Sequence, residues 1–335
     1  MVDNMLSKLP DIVLFNNIKK IPKIINYIGC AGFEDRSMST LDYLISKEIK
    51  IKNAIGIKYK PLNRKNKVKE FSQRLEILEA EINWIFYNRY EQKSFENIFI
   101  NLFNWNDIEN LIIDISGMSK FLIMIILKHL IKLMNFNFII SYAEAQIYHP
   151  TYNEFIIELE KVRKSPPVFL TSNVYKIMTS PTLSSVSMQG YPILLIAYPT
   201  FNYLELITLY NEMSPQKLII LEGNPLNEKD KWRLKGIRKV NREFIENSEI
   251  NLESIVISTF NYIETFNTLK NIYKKYRYTH KIILAPTGSK LQTIASLLFH
   301  YYYPEIQIIY PITKSFIGEY SEKCRCLWGI DFRTN

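Results

Sequence analysis

Short runs of β-branched and aliphatic residues alternate with longer helix-like segments along this chain, and the alternation happens twice. In the first half the strand candidates are Ile25 to Gly29, Ala54 to Tyr59, Asn83 to Tyr87, Leu111 to Ile115 and Phe138 to Tyr142. In the second they are Ile193 to Tyr198, Leu218 to Glu222, Ser254 to Thr259, Lys281 to Pro286 and Gln307 to Tyr310. The segments between them are long enough for crossover helices. That pattern predicts an α/β fold whose mainly parallel sheets are covered on both faces.

The halves match in register. Lys120 and Lys290 are offset by 170 residues, Ile140 and Tyr310 by 170, and Ile28 and Ile196 by 168. After the second strand candidate of each half, Pro61-Leu62-Asn63-Arg64-Lys65-Asn66-Lys67 and Pro225-Leu226-Asn227-Glu228-Lys229-Asp230-Lys231 both read P-L-N-x-K-x-K. Such a match at equivalent places points to internal duplication and to two tandem Rossmann-like units. With 335 residues the chain also exceeds the roughly 250 at which single cores stop growing. The expected division is a first unit over 1–162, a connector over 163–190 and a second unit over 191–335. Ser165-Pro166-Pro167, Ser180-Pro181 and Ser184-Ser185 mark the connector.

A hydrophobic fraction of 47% and a charged fraction of 22% exclude disorder. The net charge of +9 favours anionic partners, nucleic acid among them, although a solvated lysine-rich surface explains it equally well. Three cysteines give no disulfide framework, so a reducing cytoplasm is expected, and Cys324-x-Cys326 lacks the second ligand pair a zinc site needs. The most apolar run, Phe121 to Met134, is too short and too often interrupted by Lys128, His129 and Lys132 to span a membrane. No signal peptide or membrane partner is expected.

In open parallel sheets, ligands bind beyond the carboxyl ends of the strands. After the first strand comes Gly29-Cys30-Ala31-Gly32-Phe33-Glu34-Asp35-Arg36-Ser37, an incomplete dinucleotide fingerprint. After the fourth comes Asp114-Ile115-Ser116-Gly117-Met118-Ser119-Lys120, and its counterpart in the second half is Thr287-Gly288-Ser289-Lys290. A small hydroxyl residue, a glycine and a lysine at a strand-to-helix junction suit an anion cradle of backbone N–H groups, positive helix end and point charge. The same residues also suit plain helix capping. Neither junction is a Walker A loop, and no cofactor or metal is expected. Glu144 and Glu222, read as standing just beyond strand ends, are candidates to accept hydrogen bonds from a ribose or an exocyclic amine, and Asn224 is a further ligand-binding candidate.

The stretch Asp114 to Lys120 resembles the D-x-[ST]-G-x-x-K segment of CRISPR-associated Rossmann-fold (CARF) sensor domains, and Gly29 to Ser37 stands where those domains carry their first ligand loop. The resemblance covers about sixteen residues of the first half, and more loosely Thr287, Gly288 and Lys290. Gly117-Met118 replaces the family's double glycine, and Ala285-Pro286 stands where an acid would be. The resemblance implies an internal pseudo-dimer that binds a cyclic or linear oligonucleotide. It further implies a role in prokaryotic anti-phage defence, acting through a partner effector. Ser116, Gly117, Ser119, Lys120, Thr287, Gly288, Ser289 and Lys290 would hold phosphates, and Gly32, Glu34, Arg36 and Ser37 would form a facing wall.

No catalytic set stands out. The Arg-to-His spacing of the common defence ribonucleases is absent near His129, His149, His280 and His300, as are G-x-S-x-G and H-E-x-x-H. His129 and His300 are expected to pack or cap, and His149, on a turn, is the more plausible functional histidine. Two other classes stay open: an enzyme acting on a nucleotide or nucleic acid, and a non-catalytic interaction scaffold of a defence complex.

Overall fold

The computed structural model describes residues 9–61, 65–161, 169, 171–247, 251–316 and 320–334. Two compact units emerge, one of Met1–Tyr148 with Ser321–Asn335 and the other of His149–Tyr320.

In the first unit, β1 (Ile12–Leu14) precedes β2 (Ile24–Cys30), α1 (Ser39–Ser46), β3 (Lys50–Lys60), α2 (Val68–Ile77), β4 (Glu81–Asn88), α3 (Lys93–Asn101), β5 (Leu111–Asp114), α4 (Lys120–Met134) and β6 (Phe138–Tyr148). The strands β4, β3, β2, β5 and β6 lie in that order, all parallel. Near-continuous apolar runs such as Leu111 to Ile113 form the central strands because both faces are covered there. Ile25, Tyr27 and Ala54 pack with Leu41, Leu44, Phe71 and Leu75 of α1 and α2 on one face. On the other face Tyr87 meets Phe95 of α3 edge to face at 5.3 Å. Helix α4 is apolar nearly all round because it is buried nearly all round, and it stops at Asn135 in the left-handed conformation.

The second unit runs α5 (Tyr152–Lys161), β7 (Thr171–Met178), β8 (Ile193–Ala197), α6 (Tyr203–Met213), β9 (Lys217–Asn224), α7 (Trp232–Asn247), β10 (Asn251–Ser258), α8 (Tyr262–Tyr276), β11 (Lys281–Ala285), α9 (Lys290–Tyr302), β12 (Gln307–Ile308) and β13 (Tyr310–Phe316). Its parallel sheet is ordered β10-β9-β8-β11-β12. Counting parallel strands from the first in each unit, both sheets read third, second, first, fourth, fifth. This is the order of Rossmann-type sheets, with the strand order switching sides between the first and fourth strands. Tyr310, expected in the fifth strand, instead opens β13, which pairs antiparallel with β7.

The last strand, β14 (Ser321–Asp331), returns to the first unit and pairs antiparallel with both β6 and β1. The observed division therefore differs from the expected one at both ends. Residues 149–161 and the described part of the connector belong to the second unit, where β7 is hydrogen-bonded to β13 and Ser180 is buried beside Thr182. The 321–335 segment belongs to the first. Composition marked proline and serine clusters but could not show that β7 has a distant antiparallel partner. Ser165-Pro166-Pro167 and Leu62 to Arg64 of the repeated motif lie outside the described residues.

Candidate functional site

At the carboxyl edge of the first sheet, the loops following β2 and β5 converge because these adjacent strands send their chains to opposite faces. Gly32 and Gly117 allow the contact. A side chain at Gly32 would sit 3.3 Å from the Gly117 Cα, and one at Gly117 would collide with the Cys30 carbonyl oxygen and press Ser37.

The polar groups there are largely engaged by the protein's own backbone. Arg36 is buried; its Nη1 donates to the Ala143 carbonyl at 2.8 Å and its Nη2 to Glu34 at 3.0 Å. Burial works against its charge, but Glu34, Tyr142 and Tyr148 outweigh that effect and hold the guanidinium above its ordinary value. Glu34 also accepts from the Ser321 hydroxyl on β14. Ser37 Oγ donates to the Glu34 carbonyl at 2.7 Å, and Ser116 Oγ accepts from the Ala143 N–H at 2.8 Å. Asp114 accepts from the Tyr27 hydroxyl at 3.0 Å and the Ser116 N–H at 2.8 Å. Burial raises its carboxyl pKa, opposed by donors on Ser116, Thr40 and Tyr27. Tyr59 accepts from the Ser119 N–H at 2.7 Å and donates to the Gly117 carbonyl at 3.2 Å. Ser119 is the N-cap of α4 and Lys120 its first residue, half-buried.

In the second unit, Thr287 donates to the Tyr198 carbonyl at the end of β8. Ser289 caps α9 reciprocally with Gln292: the Gln292 N–H reaches Ser289 Oγ at 3.1 Å, and the Ser289 N–H reaches Gln292 Oε1 at 2.8 Å. Ser289 Oγ donates to the Thr259 carbonyl, whose own N–H donates to the Asn224 carbonyl at 3.0 Å. Gly288 leaves room for Gln292 and the Tyr198 ring, and Lys290 opens the helix.

The structure thus gathers Gly32, Glu34, Arg36, Ser37, Asp114, Ser116, Gly117 and Ser119 at one edge. Asn224, Thr287, Gly288 and Ser289 gather at another, with Lys120 and Lys290 as first helical residues. Glu144 and Glu222 correct the reading that they stand just beyond strand ends. Glu144 lies inside β6, buried, and accepts from Trp328 Nε1 at 2.9 Å. Glu222 lies inside β9 and takes both Arg238 donors, at 2.8 and 2.6 Å. His129 pairs with buried Glu96 at 3.0 Å, His300 bonds the Ile306 carbonyl at 2.8 Å, and His149 meets Glu154 at 2.8 Å. Among the described residues no group of His, Cys, Asp or Glu is placed to hold a metal, and no helix is long and apolar enough to cross a membrane. Tyr27 and Tyr59 were missed by sequence reasoning. The available signal was a tyrosine inside an otherwise aliphatic strand, since a buried hydroxyl needs a partner.

No protein-family model matches the chain, and no curated protein matches it. Among solved structures, Can2 from Sulfobacillus thermosulfidooxidans in complex with cyclic tetra-adenylate aligns at 17% identity over 35% of this chain and 31% of its own, with a TM-score of 0.28. The cytoplasmic domain of a prokaryotic cation chloride cotransporter aligns at 8% identity over 86% of this chain and 95% of its own, with a TM-score of 0.24. An N-terminal ketoreductase from the macrolactin assembly line aligns at 11% identity over 89% and 72%, with a TM-score of 0.22. Likenesses this slight assign neither a fold nor a function to this chain.

Proposed function

We propose that the chain is a nucleotide-binding protein of the oligonucleotide-sensing kind found in prokaryotic anti-phage defence, duplicated into an internal pseudo-dimer and acting through a partner protein. One observation carries this reading. After the fourth strand of each sheet, a hydroxyl residue, a glycine, a capping serine and a lysine lead into a buried helix, as Ser116, Gly117, Ser119 and Lys120 in one unit and Thr287, Gly288, Ser289 and Lys290 in the other. A helix start favours a phosphate through its N–H groups and its positive end, and a lysine adds a point charge. The buried hydroxyls, with Asp114, Glu34, Arg36 and Ser37, hold the loops in shape; Gly32, Gly117 and Gly288 keep the backbone close. Glu144, Glu222 and Asn224 act as supports on neighbouring strands.

Isothermal titration with cyclic and linear oligoadenylates tests the reading. One ligand per chain, weakened about tenfold or more by Lys120→Ala and by Lys290→Ala, is the expected result, since a charged hydrogen bond is worth roughly 1.5–3 kcal/mol. Two independent sites would remove the pseudo-dimer. No binding by any oligonucleotide would remove the function.

A further inference from the structure

β3 and β4 form one end of the first sheet, with β4 outermost. Side chains alternate across a strand, so Gly56, Lys58 and Lys60 share a face with Trp84, Phe86 and Asn88, their respective partners in register. Helix α2 covers the start of this face, where Phe71 packs on Trp84 at 5.9 Å. Further along, Phe86 is 42% exposed, Lys60 is exposed, and Lys58 and Trp84 are half-buried. Lys58 Nζ lies 3.8 Å from the centre of the Trp84 ring, and Lys60 Nζ lies 4.4 Å from that of Phe86. Each lysine reaches diagonally to the ring one pleat back, so cation and ring repeat along the strand. The Trp84 ring fills the space a side chain at Gly56 would take, which presses it onto the β3 backbone. From 58 to 69 the sequence carries no acidic residue, and Lys65 and Lys69 are both exposed.

We propose that this ledge binds single-stranded nucleic acid with little sequence preference. Phe86 is the platform on which a base stacks, and Lys58 and Lys60 take the flanking phosphates. Stacking a base on an aromatic ring outweighs an exposed cation–π contact, so an arriving base displaces the ammonium from the ring toward the phosphate beside it. A duplex keeps its bases stacked on each other and offers the ledge only charge, which makes the single strand the fitting partner. The site is separate from the two strand-to-helix junctions and does not depend on their function.

The test is fluorescence anisotropy of the full chain with a labelled oligothymidylate of about 15 nucleotides, a length suited to strand-binding surfaces. Phe86→Ala is expected to weaken binding about tenfold while Phe86→Tyr retains it, with unchanged melting temperatures because the side chain is exposed. Replacing Lys58 and Lys60 together by Gln is expected to flatten the slope of log affinity against log salt by about 1.4, the release expected for two single-strand phosphates. Three outcomes would overturn the proposal: Phe86→Ala binding like wild type, a duplex of equal length losing as much affinity from Phe86→Ala as the single strand does, or the exposed pair Lys274→Gln and Lys275→Gln flattening the salt slope equally.

Discussion

Glu222 and Arg238 form a two-pronged ion pair whose members differ in exposure, the glutamate side chain at 5% and the arginine at 49%. Burial alone would raise the Glu222 pKa, but the Arg238 and Ser254 hydrogen bonds and the Arg238 charge outweigh it, and the carboxyl titrates below its usual value. A carboxyl depressed in the folded state contributes stability above its unfolded pKa and loses it as pH falls through the folded one. Glu222→Gln is therefore expected to cost about 1–2 kcal/mol near pH 7, discounted for the solvent around Arg238. In urea titrations the gap should narrow as the pH falls from the ordinary glutamate range through the lower folded-state value. A gap that persisted there would assign the effect to shape rather than charge. The position also shows why the carboxylate's place relative to the strand end was misread. Its distance from the end of β9 depended on two further paired residues, Gly223 and Asn224, and nothing local distinguishes a strand's last pairing from a loop.

At the scale of elements, two helices that open with Ser-Lys are anchored differently. Ser289 has reciprocal capping with Gln292 and a bond to the Thr259 carbonyl, whereas Ser119 accepts a single long bond of 3.4 Å from the Leu122 N–H. Ser289→Ala is expected to cost about 1–2 kcal/mol and Ser119→Ala about 0.5 kcal/mol, compared by thermal unfolding of each variant. Equal losses would mean that the Gln292 side chain adds nothing. All ten expected strand segments overlap observed strands, and the central ones are the plainest because parallel strands covered on both faces are apolar along their length, as in Leu111 to Ile113 or Leu218 to Leu221. β14 was not legible for the opposite reason. Ser321 to Asp331 carries Glu322, Lys323 and Arg325 and is mostly half-buried, so it lacks that apolar signature. At the site, the glycines and hydroxyls of both junctions were legible as a motif, but their partners were not. That Arg36 would turn inward to the Ala143 carbonyl depends on β6 lying beside β5, a pairing between distant segments.

For the whole molecule, the decisive connection is that Tyr148 and Ser321 are partners in the β6–β14 pair, while the neighbouring His149 N–H donates to the Tyr320 carbonyl at 3.0 Å. The 149–320 unit is thus inserted between two strands that pair with each other, and its own ends adjoin. Produced alone, 149–320 is expected to unfold in one cooperative transition. A 1–148 fragment is expected to aggregate, because β6 loses its partner and Glu34 and Glu144 lose Ser321 and Trp328. Joining 1–148 to 321–335 by a short turn should restore folding, and circular dichroism with size-exclusion chromatography reads all three. During synthesis the same arrangement imposes an order. The interior unit leaves the ribosome before the segment that completes its host, so the first-made sheet stands with an unfinished margin until residues 321–331 follow.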